Sequence, residues 1–310
     1  MRASVTVRVP GSTSNLGAGF DCVGVAVDRW LRVTATTGPG AGTTVERRGT
    51  LGALDVPPDA DLLCRGFAAA CAKAGRQVPS GLALVADSDI PVARGLGSSA
   101  AATVAGAAAA TALLALELDR DDLTALCLEL EGHPDNVAPA VYGGANLVLP
   151  GLPPARGPIV TPLVIHESLA LVFAVPDFTV ETTRARAVLP ATLPHAQAVQ
   201  AAAKGAALVH GLAHADGRLL AAALDDVLHV PFRLPLVPGY AEVTAAARAT
   251  GAYGATLSGS GPTVVAVTPG ARASAVAEAM VRAWRARGGG GATSAQSFVT
   301  ARPAGGFRTG

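Results

Sequence analysis

Residues 91–101 read Pro91, Val92, Ala93, Arg94, Gly95, Leu96, Gly97, Ser98, Ser99, Ala100 and Ala101, a Gly/Ser turn running into an alanine-rich stretch. Glycines let a backbone turn tightly and approach a ligand with no Cβ in the way. The N–H groups that open a helix lack intrahelical partners, and the helix dipole favours negative charge there. A strand, this turn and a long helix therefore predict an anion site, in which Ser98 and Ser99 add hydroxyls for a phosphate or a magnesium ion. The turn is not a Walker A loop, since no Gly-Lys-Ser/Thr occurs in the chain. Nor is it the dinucleotide pattern, since Ala100 stands where the third glycine belongs. Taken alone, it is also compatible with an ordinary tight turn or a pyridoxal-phosphate cup.

Three other segments carry polar groups in unusual density. They are Pro10-Gly-Ser-Thr-Ser-Asn-Leu-Gly-Ala-Gly-Phe-Asp21, Glu129-Leu-Glu-Gly-His-Pro-Asp-Asn-Val-Ala-Pro139 and Leu257-Ser-Gly-Ser-Gly-Pro-Thr263. In this order, with the turn at 91–101 between the first two, they resemble the motifs of the GHMP kinase superfamily, named for galactokinase, homoserine kinase, mevalonate kinase and phosphomevalonate kinase. The turn matches that superfamily's ATP motif almost letter for letter. The first segment together with His133-Pro-Asp-Asn-Val-Ala-Pro139 is similar to the homoserine kinase branch in particular. The resemblance runs from about residue 5 to 267. Ala18 and Gly11-Ser12 depart from the usual pattern without removing a chemical group.

The resemblance implies an α+β, two-domain GHMP kinase fold, with a ribosomal protein S5 domain 2-like N-terminal half (1–160) and a ferredoxin-like C-terminal half (161–310). It implies ATP held by residues 91–101, with Mg²⁺ on Ser98, or its neighbour Ser99, and on Glu131 in preference to Glu129. Phosphoryl transfer needs positioning and charge neutralisation more than covalent help. The implied acceptor is L-homoserine, phosphorylated on its side-chain hydroxyl for threonine biosynthesis. Arg186 and Arg233 resemble the pair that grips the acceptor carboxylate, a task that suits planar guanidinium forks. Thr182 would add a hydroxyl contact, and Asn15, Asp21, His133, Asp135, Asn136 and Gly259 would line the same pocket. Asp21 and Asp135 suit an ammonium, and Asn136 would orient the attacking hydroxyl. Asp135 is also the natural general base, if one is used. Two other readings stand beside this one. A mevalonate-type acceptor has a carboxylate but no amine, which would leave Asp21 and Asp135 without a purpose. A non-catalytic nucleotide- or metabolite-binding protein would not need serines, glutamates and arginines together.

These groups must be positioned by elements that the patterning predicts. Val5, Val7 and Val9 mark a strand that Pro10-Gly11 is expected to end, and Phe20–Thr36 a second. Asp61–Gly75 has helical spacing, Gly81–Ser88 is a strand, and a buried helix follows the turn. Asp121–Glu131 is a helix with Asp121 or Asp122 as N-cap, and Tyr142–Leu149 is a strand. The Pro/Gly-rich stretch 150–158 marks a hairpin tip or a domain seam. Beyond it come a strand at 169–175, helices through 195–227 and 239–250, a strand at 263–267, and a helix at 271–287 before a terminal strand. Trp30 is placed near the adenine.

Composition excludes several classes. With 310 residues, half of them hydrophobic, there is ample material for one large or two medium cores. A net charge of +1, with no basic stripe, argues against nucleic-acid binding. The uncharged run Ala100–Leu116 is mostly Ala, Gly and Thr, which reads as a buried helix and not as a membrane span. Cys22, Cys64, Cys71 and Cys127 have no metal-ligand or Cys-x-x-Cys spacing and read as reduced thiols of a cytoplasmic protein. The histidines His166, His195, His210, His214 and His229 show no partner pattern and are taken as structural or exposed. A homodimer is compatible with the resemblance, although no interface is legible.

Overall fold

The computed structural model describes residues 3–149, 157–286 and 294–310. In chain order the first half holds β1 (Ser4–Asn15), β2 (Gly19–Thr37), β3 (Thr43–Gly49), α1 (Leu62–Lys73), β4 (Leu82–Ser88), α2 (Ser98–Leu114), α3 (Arg120–Glu131), α4 (Pro134–Tyr142), β5 (Ala145–Leu149) and β6 (Ile159–Pro162). The second holds β7 (Leu169–Val175), α5 (Thr182–Ala187), α6 (His195–His214), α7 (Gly217–Leu224), α8 (Val230–Arg233), α9 (Tyr240–Ala249), β8 (Gly254–Leu257), β9 (Val264–Pro269), α10 (Ala273–Ala286), β10 (Gln296–Thr300) and β11 (Arg308–Thr309). One mixed sheet runs β11-β1-β2-β4-β3, with β5 and then β6 continuing from β2. A second, antiparallel sheet runs β10-β7-β9-β8, the ferredoxin-like order expected for the C-terminal half. Most of the stretch expected as a hairpin tip or seam (150–156) lies outside the described residues, as does the Gly288–Gly291 run; β5 and β6, on either side of the former, pair antiparallel.

Several boundaries differ from the expectation for local physical reasons. Pro10-Gly11 does not end β1. The strand absorbs the missing N–H in a register shift between those two residues and continues to Asn15. The helix before Gly132 is capped by Asp119 and not by Asp121 or Asp122. Asp119 accepts from the Asp122 N–H at 2.8 Å while the Asp122 carboxylate reaches back to the Asp119 N–H at 3.3 Å, a reciprocal capping box. Tyr142 closes α4 and does not open a strand. Pro134 at the first helical position suits the start of this helix, because its missing N–H would have been unpaired anyway.

Helix α2 is buried almost all round, so it must be nearly all small residues to fit. Its contact with α1 is set by two glycines facing opposite ways. A Cβ on Gly66 would stand 2.1 Å from the Thr103 carbonyl oxygen, and one on Gly106 would stand 2.0 Å from that of Leu63. The backbones therefore approach more closely than side chains would permit. Among the described residues no helix is long and apolar enough to cross a membrane. Gly106→Ala is expected to lower the thermal midpoint by several degrees in a circular-dichroism melt. Overpacking costs about 1–3 kcal/mol, more than the gain of about 1 kcal/mol in helix propensity. An unchanged or raised midpoint would show that the α1–α2 contact has slack.

Candidate active site

The turn at 91–97 leads from β4 to α2 and is bent by residues in the left-handed region: Ala93 at φ 53°, Gly95 at 71° and Gly97 at 67°. Gly97 caps α2 with no side chain, and no acidic residue lies in the first helical turn. The N–H groups of Ser98, Ser99 and Ala100 have no protein partner among the described residues. Such a cup of unpaired N–H groups at a helix start favours an anion. Both glycines are needed by what lies behind them. A Cβ at Gly95 would fall 2.1 Å from the Ser258 carbonyl oxygen, and one at Gly97 would fall 2.1 Å from Ser12 Oγ and 3.1 Å from Asn136 Oδ1.

The loop is tied to both halves of the molecule. Leu96 O accepts from the Ser12 N–H at 3.1 Å, Ala93 O from the Val180 N–H at 3.2 Å, and Gly95 O from Ser258 Oγ at 2.6 Å. Arg94 faces away from the cup: its guanidinium donates to the carbonyls of Val92, Pro176 and Asp177 at 3.1, 3.0 and 2.5 Å. It latches the loop to the second half. Pro91 begins the turn, Leu96 is buried beneath it, and Ala100 and Ala101 pack α2 on the core. Next to the loop lies a cavity of about 350 Å³, which Val92 to Ser99 share with Leu31, Val45, Leu51, Leu54 and Val56. An apolar slot opening on a phosphate cup has the shape for a purine base. Leu31, and not Trp30, lines it; strand alternation turns Trp30 away, where its indole donates to Asp28 at 2.7 Å.

Glu131, the last residue of α3, spans from its helix to α2, accepting from Ser99 Oγ at 2.9 Å and from Thr103 Oγ1 at 2.8 Å. Glu129 is exposed, and the Ser98 hydroxyl makes no hydrogen bond among the described residues. On the other side of the loop, β1 and the head of α4 form a polar cluster. Asn136 Oδ1 accepts from Ser12 Oγ at 2.9 Å, while its Nδ2 donates to Ser14 Oγ at 3.0 Å and to Asp135 Oδ1 at 3.2 Å. His133 Nδ1 is 3.0 Å from the same Asp135 oxygen. Burial pulls the His133 pKa down, but the Asp135 hydrogen bond and charge, with Glu131, leave it net above the ordinary value.

Asn15 (φ 73°) and Asp21 (φ 55°) lie where β1 turns into β2. Asn15 donates to Gly259 O at 3.0 Å and accepts from the Asp21 N–H at 3.0 Å, joining this turn to the 257–263 segment. Arg186 grips Asp21 with both amino groups, at 3.1 and 2.8 Å, and this pairing holds its pKa above the usual value. Arg233 is buried, with its Nε 3.0 Å from Ala185 O and its Nη1 3.2 Å from Gly259 O. Burial, and then the Arg186 charge, push its pKa down to about 10. Both guanidiniums lie beside the Phe20 ring, at 5.9 and 5.4 Å. Thr182 opens α5 as an exposed residue, one turn before Arg186.

The structure thus gathers Asn15, Asp21, His133, Asp135, Asn136, Arg186, Arg233 and Gly259 beside the loop, and leaves Thr182 at the rim. Four contributors had no separate signal in the sequence. Ser12 and Ser14 lay within a quoted motif but without a role, and Thr103 looked like helix filling. His229, expected to be structural or exposed, is fully buried in this cluster, with Nδ1 2.9 Å from Arg233.

Comparison with known proteins accords with this geometry. Residues 61–144 match the model of the GHMP kinases N terminal domain and residues 208–286 that of the GHMP kinases C terminal region. A two-domain, ATP-dependent small-molecule kinase is the class that this fold and loop define. The chain is 40% identical to the homoserine kinase of Picosynechococcus sp., over 92% of this chain and 93% of that one. It is 41% identical to that of Moorella thermoacetica, over 91% and 93%. The crystal structure of homoserine kinase from Cytophaga hutchinsonii superposes with a TM-score of 0.87 at 30% identity, covering 100% of this chain and 98% of that one. The chain belongs to the homoserine kinase family of the GHMP kinases.

Gly97→Ala is expected to cut kcat/KM for ATP at least tenfold, because a left-handed alanine here is strained by about 1–3 kcal/mol and its methyl meets Ser12. A coupled ADP-release assay with ATP as the varied substrate measures it. Wild-type kinetics would show that the cup does not need this backbone.

Proposed function

We propose that the enzyme transfers the γ-phosphoryl group of ATP to the side-chain hydroxyl of L-homoserine, giving O-phospho-L-homoserine for threonine biosynthesis. The observation that carries this is the meeting of two sites at one point. The Ser12–Asn136 hydrogen bond lies directly against Gly97, so an acceptor held by the polar cluster would present its hydroxyl to the phosphate cup. The cluster suits a zwitterionic amino acid: Asp21 for the ammonium, Arg186 and Arg233 for the carboxylate. Homoserine kinase is also the name of the relatives at about 40% identity.

The free N–H groups at the head of α2 would hold the α and β phosphates, and Asn136, its amide fixed by Ser12 and Ser14, would orient the hydroxyl. Asp135, beside that amide, would take the hydroxyl proton as the phosphoryl group arrives. Mg²⁺ fits next to the cup. Glu131 and the hydroxyls of Ser98 and Ser99 are hard oxygen donors, and Ser99 already touches the carboxylate. When bound there, the ion would neutralise charge on the phosphates. We also place the division between domains near residue 160, with β11 returning to the first sheet, and the enzyme in the cytoplasm, in keeping with its four free thiols.

A coupled ADP-release assay across L-homoserine, serine, threonine and mevalonate tests the acceptor. Homoserine should give the highest kcat/KM, and turnover of mevalonate alone would overturn the proposal. Asp135→Asn should lower kcat by about 100-fold or more, the scale of general-base catalysis, with the KM for homoserine changed only a few-fold. A raised KM with kcat retained would instead assign Asp135 to the ammonium.

A further inference from the structure

Arg233 has no carboxylate within hydrogen-bond reach among the described residues, and its orientation comes from elsewhere. His229 precedes it by one helical turn. Asp226 pins the backbone at this point, accepting from the N–H groups of Leu228, His229 and Val230 at 3.0, 2.7 and 2.8 Å. The imidazole is fully buried and stacks on Phe20, with centroids 4.9 Å apart. Its Nδ1 is 2.9 Å from Arg233 Nη1 and its Nε2 is 3.2 Å from Gly17 O. A guanidinium only donates and a carbonyl only accepts, so Nδ1 must be the acceptor and Nε2 must carry the proton. The ring is therefore neutral. Burial pushes its pKa down to about 4, with the Arg233 charge acting in the same direction and Asp226 opposing.

We propose that His229 is a positioning residue for the acceptor, a neutral imidazole that fixes the Arg233 guanidinium to the Asn15–Asp21 turn and so sets the spacing between the carboxylate grip and the ammonium grip. The inference rests on Arg233 being a carboxylate ligand. With Nε held by Ala185 O and Nη1 held by Gly259 O and His229, Nη2 is the amino group that makes no protein hydrogen bond among the described residues. The other end of the imidazole bonds Gly17 and its face covers Phe20, the residue before Asp21. One ring therefore touches Arg233 directly and, through Gly17 and Phe20, the turn that carries Asp21.

The test compares His229→Phe, His229→Asn and Arg233→Lys, with homoserine varied at saturating ATP, ATP varied at saturating homoserine, and a thermal melt of each protein. His229→Phe keeps the stack on Phe20 but loses the acceptor. It should raise the KM for homoserine about 10- to 100-fold, the worth of one hydrogen bond to a charged group, with kcat and the KM for ATP within about threefold. His229→Asn, whose side-chain oxygen falls near the Nδ1 position, should recover most of that loss, as a merely space-filling role would not predict. If Arg233→Lys raises the KM while His229→Phe leaves it unchanged, the proposal is overturned. If Arg233→Lys itself has no effect, the carboxylate role of Arg233 falls and takes this inference with it. Should His229→Phe fail to fold, His229→Gln, which moves the polar atoms away from the Nδ1 position, decides the matter on the same KM.

Discussion

Most of this structure follows from one requirement: the first turn of α2 must stay unpaired and accessible while the rest of that helix is buried. Unpaired N–H groups are tolerated at a surface that water or a ligand can reach, but the loop carrying them has to be held from behind. Ser12, Val180 and Ser258 do so from three separate segments, and Arg94 closes the fourth side. Two of those segments, and the Pro176 and Asp177 carbonyls that Arg94 grips, belong to the second half of the chain. The phosphate loop is therefore a joint as well as a binding site. Any relative movement of the two halves would have to break hydrogen bonds to the loop itself, so the cup and the acceptor cluster are held in register.

The acceptor cluster answers a different constraint, the cost of keeping charges of both signs partly out of water. Arg186 satisfies Asp21 with a bidentate pair, and Asp135 is buried behind His133 and Asn136. Arg233 is the exception, a buried cation that among the described residues bonds carbonyls and one imidazole, and burial lowers its pKa. A carboxylate bound there would offset the cost of burying it. An ammonium that takes over Asp21 would free Arg186 for the same carboxylate. A zwitterion could thus replace one internal ion pair with two ligand contacts, whereas a simple anion would leave Asp21 without its partner.

The four motifs were legible because each has to keep particular backbone freedom and polar groups, and their order along the chain made them specific together. The turn at the head of α2, the hydrogen bonds of Glu131 to Ser99 and Thr103, and the meeting of Arg186 and Arg233 beside Phe20 lie within or near those motifs. What was not legible depended on contacts across the fold. Arg94 sits inside the motif yet serves the carbonyls of Pro176 and Asp177, which no local pattern announces. His229 looked like any unpartnered histidine because its partners, Arg233, Gly17 and Phe20, meet it through three elements. Asp119 was missed as the cap because Asp121 and Asp122 stand beside it, and only the reciprocal bond with Asp122 decides among the three. Pro10-Gly11 read as a stop because a bulge that keeps the strand going depends on β2.

The backbone of Asp135 is placed by residues that have no polar side chain. Pro134 and Pro139 stand within six residues, and a proline inside a helix removes a backbone hydrogen bond. The structure uses both. Pro134 starts α4, and Pro139, which has no N–H, leaves the Asp135 carbonyl without its usual helical donor. That carbonyl comes to rest against β2 at Gly24, where a Cβ would lie 1.8 Å from the oxygen and 3.0 Å from Pro139 Cγ. A helix with a free carbonyl and a strand with an absent side chain fit each other, and their fit fixes the backbone of Asp135. Its carboxylate is then presented from a buried helix start to His133 and Asn136, beside the phosphate loop. The glycine in β2 and the proline in α4 carry no polar side chain, yet together they determine where the Asp135 carboxylate stands.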